Sequence, residues 1–427
     1  MIKILYCNKK NYKSELNKLL LKRQRNIKIN GKIVKKIIQE IKLNGDSAIV
    51  KYEKKYNKNT EIKINKNKLL KNIQSLDPKI KKAIDFSYNR IFKFHSKQKI
   101  QNYNYKDKLN NKIDYKYIPL DSVGIYIPGG NASFPSTLLM SGIPAKIAGV
   151  KRIVMVNPKL KGKLSPGVLY AAKKIGISEI YSIGGVQAIA SLAYGTKKIK
   201  KVNKIIGPGN IFVSTAKKEV FGDVGIDMIA GPSEITVVAD KFSNPEWVAS
   251  DLLAQAEHDL NSQCILISKD KKIIEMVKNS ILNQLKVLPR KDIAKKSLQQ
   301  NSIFIHATTD KEILYTINTI APEHLQLAVK KYRKLVTKVT NAGSICLGKY
   351  SAMAVTDYSA GSNHILPTNS SAKFSSGLSV YDFYKRISYI NLSKKGIESI
   401  GEQVINLANY EGLDGHAKSV ELRIRRK

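Results

Sequence analysis

The chain has 427 residues, 43% of them apolar, and its 74 Lys and Arg against 33 Asp and Glu give a formal charge of +41. That length predicts two or more hydrophobic cores. No apolar run nears the roughly 20 residues a membrane helix needs, and Cys7, Cys264 and Cys346, without paired spacing, exclude a disulfide framework and a thiolate metal site.

The charge would suit a polyphosphate partner, but it is spread as Lys among Asn and Ile, as in KIVKKIIQEIKLN and KINKNKLLKN, and does not concentrate on one aromatic-bearing face. Compositional bias is the better account, with no specific nucleic acid and no membrane as partners. The opening MIKILYCNKK has too short an apolar core for a secretory signal, so the cytoplasm is the expected compartment.

In chain order, Leu16 to Phe94 reads as mainly helical, with Val34, Ile37, Ile38 and Ile41 on one face. A lysine-rich polar connector follows at about 96 to 114. Then SVGIYIPG, RIVMVNP, EIYSIGG and KIIGPG read as strands, alternating with helical stretches at 136 to 148, 165 to 175 and 186 to 194. This rhythm predicts an α/β fold with a doubly wound, largely parallel sheet. After Gly231 a second unit begins, with EITVVAD and QCILISK as strands and helices at PEWVASDLLAQAEH and 271 to 285. From about Gly377 the strand and helix alternation stops, and a helical tail or small domain is expected.

Four polar clusters could carry chemistry. Asn244 and Pro245 start a helix that ends in AQAEHD. Its Gln255 and His258, three apart, would share a face and could converge on one ion. In IAPEHLQLAV, Pro322 disfavours helical geometry at Ala321 and sets Glu323 and His324 on a turn. An acid beside an imidazole suits two successive proton removals. The loops TDYSAGSNHILPT and NYEGLDGHAKSV hold Asp357 with His364, and Glu411 with Asp414 and His416. Taken singly, each cluster fits a solvated surface as well as it fits a site. The histidine census adds weight: four of the six, His258, His324, His364 and His416, lie in such contexts, whereas His95 and His306 read as structural. Glycines at strand ends, Gly129 with Gly130, Gly184 with Gly185, and Gly207 with Gly209, stand where doubly wound sheets bind ligands. No GxGxxG occurs, so they are turn residues before they are cofactor contacts.

In order, GIYIPGG, GGVQAIASLAYGT, IGPGN, AGPSE, SDLLAQAEHD, APEHL, DYSAGSNHILPT and EGLDGHAKSV resemble the histidinol dehydrogenase family from about Val123 to Val420. The resemblance implies a zinc enzyme that oxidises L-histidinol through L-histidinaldehyde to L-histidine with two NAD, in the last part of histidine biosynthesis. It assigns the metal to Gln255, His258, Asp357 and His416, and proton transfer to Glu323 and His324. Substrate contacts fall on Ser233, His324, Glu411 and the zinc ligands, NAD contacts on Tyr126, Gln187 and Asn210, and a secondary role on His364.

The resemblance also implies two Rossmann-like doubly wound domains, a helical N-terminal part and a small C-terminal tail domain. The first domain would be 25–119 with 233–376, carrying the metal and catalytic residues, and the second would be 120–232, carrying the NAD contacts. Residues 1–24 would pack with the tail domain, 377–427. The protein would be a homodimer with exchanged tails, so that Glu411 and His416 serve the partner's site. Two rival chemistries compete. One is a zinc hydrolase, which would use the same metal, Glu and His on an amide or ester. The other is a thiol route through Cys264, which is weakened by that residue's place in an apolar strand.

Overall fold

The computed structural model describes residues 2–25, 31–98, 100–129, 133–159 and 162–424. Two parallel sheets carry the fold. The first takes its strands in the order Glu179–Tyr181, Arg152–Val156, Ser122–Tyr126, Lys204–Ile206, Gly225–Ile226, and every pairing is parallel. The second runs Lys3–Tyr6, Ile303–His306, Gln263–Ser268, Glu234–Ala239, His324–Leu327, Ser344–Leu347, again all parallel. Strands such as Ser122–Tyr126 and Gln263–Ser268 are buried at every position, because helices cover both faces. The three helices read in the middle of the chain form within a residue of their sequence bounds, as does the helix Lys271–Leu285, while the four strands start where they were read and end two to four residues early.

Chain order reverses in each sheet, between Ser122–Tyr126 and Lys204–Ile206 and between Glu234–Ala239 and His324–Leu327. Such a reversal opens a crevice, because the flanking connections leave toward opposite faces.

Residues 3–6 form the edge of the second sheet, pairing Lys3 with Ile303 through Tyr6 with His306. The helices Gly31–Asn57, Lys66–Ile73 and Pro78–His95 cover the first sheet, not the second. Val34, Ile37, Ile41 and Ile49 share a core with Val154, Val156 and Leu192, and Ile84 and Ile91 share one with Ile125 and Leu139. An apolar helical stripe seeks the open sheet face that buries it most completely.

The polar connector and the tail hold the elements that periodicity missed. Tyr103–Lys106, Lys112–Pro119 and Tyr384–Asn391 form an antiparallel sheet with no fully buried position, so no apolar alternation announced it. Beyond it the helices Lys394–Tyr410 and Asp414–Ile424 pack on one another, with Gly401 against Val420 and Ile424. Among the described residues no helix is long and apolar enough to cross a membrane.

Candidate active site

Helix Asp310–Ile320 ends at Ala321, whose φ of +47° is a left-handed conformation. Pro322 disfavours helical geometry there, and the chain turns at once into the strand His324–Leu327. Glu323 and His324 therefore stand at the amino end of a central strand, His324 as its first residue and not on a free turn. The neighbouring strand starts beside them: the Glu234 N–H donates to Glu323 Oε2 at 2.7 Å. Ser233 immediately precedes that contact.

Burial, then the nearby Glu234 carboxyl, pushes the Glu323 carboxyl well above the usual range. His324 Nε2 lies 4.0 Å from Glu323 Oε1 and 3.8 Å from Asp357 Oδ1. Burial, then the His364 and His258 rings, pulls its imidazole down to about 3, so it is neutral at physiological pH and can accept a proton. Asp357 sits on the short helix Met353–Tyr358, and burial raises its carboxyl to about 7. The His364 Nδ1–H donates to the Asp357 carbonyl at 2.8 Å, and the Thr137 hydroxyl lies 3.3 Å from His364 Nε2. Thr137 belongs to a helix of the first sheet's layer, so this contact ties the two halves together.

Gln255 is in the last turn of the helix Pro245–Ala256, and His258 lies just beyond it. Among the described residues buried Gln255 Oε1 has no hydrogen-bond partner. His258 opens onto a cavity of about 750 Å³, bounded by Glu257, Arg290, Tyr358, Gly129 and Phe134. The protein around it, then the Arg290 guanidinium, lowers its imidazole.

A second cavity, of about 1240 Å³, opens at the order reversal of the first sheet and is lined by Tyr126, Gln187 and Asn210 together. Tyr126 and Asn210 are held by backbone groups, Gln187 by the Glu53 side chain. The Tyr126 hydroxyl accepts from the Gly185 N–H at 3.1 Å, and burial pushes its phenol up to about 12, so it keeps its proton. Asn210 Oδ1 caps the helix Ile211–Val220 by accepting from the Phe212 and Val213 N–H groups, which leaves Nδ2 for a ligand. Gly207, with φ +115°, has no room for a Cβ, which would meet the Tyr126 carbonyl oxygen at 2.2 Å. Gly129 borders both cavities. Gly130, named beside it from the sequence, lies outside the described residues.

Glu411 and His416 are not brought to this cluster within one chain. They are exposed, at the end of the helix Lys394–Tyr410 and in the first turn of Asp414–Ile424. Among the described residues no three His, Cys, Asp or Glu gather to hold a metal.

Sequence reasoning missed several residues at and behind the site. Lys58 and Lys159 line the larger cavity as cations. Buried Arg23 pairs with Glu234 at 3.1 Å, behind Glu323. Glu53 lies under Gln187. Glu234 adjoins Ser233 in AGPSE, so that motif pointed near it, but nothing in the lysine-rich KYEKKYN marks Glu53.

The family model for histidinol dehydrogenase matches residues 21–424. A histidinol dehydrogenase of Pelagibacter ubique (strain HTCC1062) is 64% identical, covering 100% of both chains, and one of Bacillus subtilis (strain 168) is 45% identical over 92% of this chain and 93% of its own. The crystal structure of histidinol dehydrogenase from Elizabethkingia anophelis superposes with a TM-score of 0.92 at 37% identity, covering 99% of this chain and 98% of that one. The chain therefore belongs to the histidinol dehydrogenase family, oxidoreductases of histidine biosynthesis.

Proposed function

We propose that this chain oxidises L-histidinol to L-histidine through L-histidinaldehyde, passing two hydrides to NAD, as a zinc-dependent homodimer of the cytoplasm. The observation that carries the reading is the pair of cavities bordered by Gly129: one holds His258, and the other holds Tyr126, Gln187 and Asn210.

The donors fit a metal of zinc's preference. Gln255 Oε1 is a buried acceptor without a partner. The mostly buried Asp357 carboxyl has the neutral His324 ring beside it and, among the described residues, no Lys or Arg in ion-pair contact, and burial lowers the His258 imidazole. Gln255, His258, Asp357 and the His416 of a second copy would supply an all nitrogen and oxygen set. Zinc held there would orient the substrate through its amino and imidazole nitrogens, and NAD in the larger cavity would supply the hydride acceptor.

The side chains of the chain handle the protons. His324, neutral and buried, takes the proton of the alcohol. Glu323, with its raised basicity, takes one from the water that adds to the aldehyde. Glu411 draws the substrate's ammonium, Ser233 positions the substrate beside Glu323, and His364 holds the Asp357 backbone.

Tail exchange is supported by the exposed apolar residues Val404, Leu407, Leu413 and Leu422 on and between the two tail helices. A second copy covering that face would carry His416 and Glu411 into its partner's site.

The test is the absorbance of reduced nicotinamide on adding histidinol and NAD, with and without chelator. Two NADH per histidinol, abolished by chelator and restored by zinc, is expected. Absence of any signal from the zinc-loaded protein would favour a hydrolase. In parallel, His258→Asn should lose both zinc and turnover.

A further inference from the structure

Glu53 is fully enclosed at 0% exposure, near the end of the helix Gly31–Asn57. A buried acid is costly unless donors satisfy it, and this one has three. Its Oε1 accepts from the Gly184 N–H at 2.9 Å and from Gln187 Nε2 at 2.8 Å, and its Oε2 accepts from Asn57 Nδ2 at 2.8 Å. Every donor belongs to the wall of the larger cavity or to the residue next to it: Gln187, Asn57 and Gly185 line that cavity.

A carboxyl that accepts three hydrogen bonds has nothing to offer an amide oxygen, so the amide of Gln187 can face it only through nitrogen. Gln187 Oε1 is thereby turned the other way, beside Gly185, and takes no hydrogen bond from the described residues. The Gly184 N–H at the start of the helix Gly185–Tyr194 is likewise already occupied from the inside. The Gly185 N–H is taken by the Tyr126 hydroxyl, so what this part of the wall presents beside Gly185 is the Gln187 acceptor.

We propose that Glu53 is a positioning residue of the nucleotide cavity. It fixes the Gln187 side chain so that its carbonyl oxygen meets a hydrogen-bond donor of the dinucleotide, a ribose hydroxyl or a base amine. The inference rests on the reading above that a dinucleotide occupies this cavity.

A double-mutant cycle tests it, with NAD binding to the full dimer measured by calorimetry for the wild type, Glu53→Gln, Gln187→Met and the double variant. Thermal melting without NAD is recorded for each. Glu53→Gln admits an amide that can pair with either end of Gln187, and about tenfold weaker binding is expected, the value of one lost hydrogen bond. Gln187→Met should weaken binding about as much. The double variant should bind no worse than Gln187→Met, and steady-state kinetics should show the loss in the KM for NAD and not in kcat.

If Glu53→Gln weakens NAD binding by the same factor in the Gln187→Met background, Glu53 only supports the fold and the proposal is overturned, while the cavity assignment stands. If Gln187→Met binds NAD like the wild type, the cavity assignment itself fails and takes the proposal with it. Should Glu53→Gln not fold, Glu53→Asp carries the same cycle, because the shorter chain withdraws the acceptor from Gln187.

Discussion

Glu323 Oε2 accepts the backbone N–H of Glu234 at 2.7 Å, so the amino ends of two adjacent parallel strands are joined through the side chain proposed above as a base. The second carboxyl oxygen is left on the His324 side, 4.0 Å from Nε2. Glu323 is thus held by the sheet itself and aimed by it.

Glu323→Gln keeps that hydrogen bond and removes the base. The expected result is selective: oxidation of supplied histidinaldehyde falls by about a hundredfold or more, the scale of general-base catalysis, while the first hydride transfer from histidinol falls less. Stopped-flow recording of NADH with each substrate separates the two steps. Equal losses in both would remove the division of labour between Glu323 and His324.

Tail exchange predicts complementation. Glu323→Gln and His416→Asn are each expected to be inactive as pure dimers. Mixed by denaturing and refolding together, half the dimers are heterodimers with one intact site of two, so activity should return to about a quarter of the wild type. No recovery in demonstrated heterodimers would place His416 in its own chain's site or in none.

The thiols should be dispensable. Cys264 is fully enclosed with its thiol pushed up to about 12, and burial raises Cys346 to about 11, so both stay protonated and unreactive at neutral pH. The variant with Cys264→Ser and Cys346→Ser is expected to keep most of its turnover. Complete loss in a folded double variant would revive a covalent thiol route.

Lys217 and Asp227 form a buried ion pair that clamps both polar groups of the Gly207 peptide, Lys217 donating to its carbonyl at 2.9 Å and Asp227 accepting from its N–H at 2.7 Å. Lys217→Met strands a charge in the interior, which costs about 3 to 5 kcal/mol. Urea unfolding should show that loss, and NAD affinity should drop with it because Gly207 abuts Tyr126. A variant of unchanged stability would mean the pair is not desolvated in solution.

Acid should weaken the fold partly through His95. Its Nδ1–H donates to Gln98 Oε1 at 2.8 Å, its Nε2 is buried without a partner, and burial lowers its imidazole below the usual value. The folded state therefore holds His95 neutral, while the unfolded chain binds a proton near pH ~6.5. The stability present above that pH is lost as pH falls toward the lowered folded value. His95→Gln should flatten the drop in urea midpoint between neutral and mildly acid pH. An unaltered slope would assign the acid sensitivity to other groups.

What the sequence revealed follows from periodicity and turn chemistry. Ser122–Tyr126 and Gln263–Ser268 are continuous apolar runs that only a doubly covered sheet can bury, so both α/β units were legible. Tyr126, Gln187 and Asn210 lie more than 80 residues apart end to end, yet they line one cavity, an arrangement that motif resemblance anticipated and spacing alone did not. The strand Tyr384–Asn391 stayed hidden because its residues are mostly exposed and alternate no apolar face. The placement of the helices Gly31–Asn57 and Pro78–His95 on the first sheet was equally hidden, since an amphipathic pattern says that a stripe is buried and not against what. Asp357 and His416 were read in loops and stand on helices of six and 11 residues, because Gly and Ser beside them mask the helical pattern.

Gly129 borders both chambers, and a methyl group added there would meet Pro158 Cγ at 2.3 Å. At this shared edge the chain presents bare backbone. A bulkier residue there would act as a bulkhead between guests of the two chambers, whereas hydride transfer needs donor and acceptor in contact.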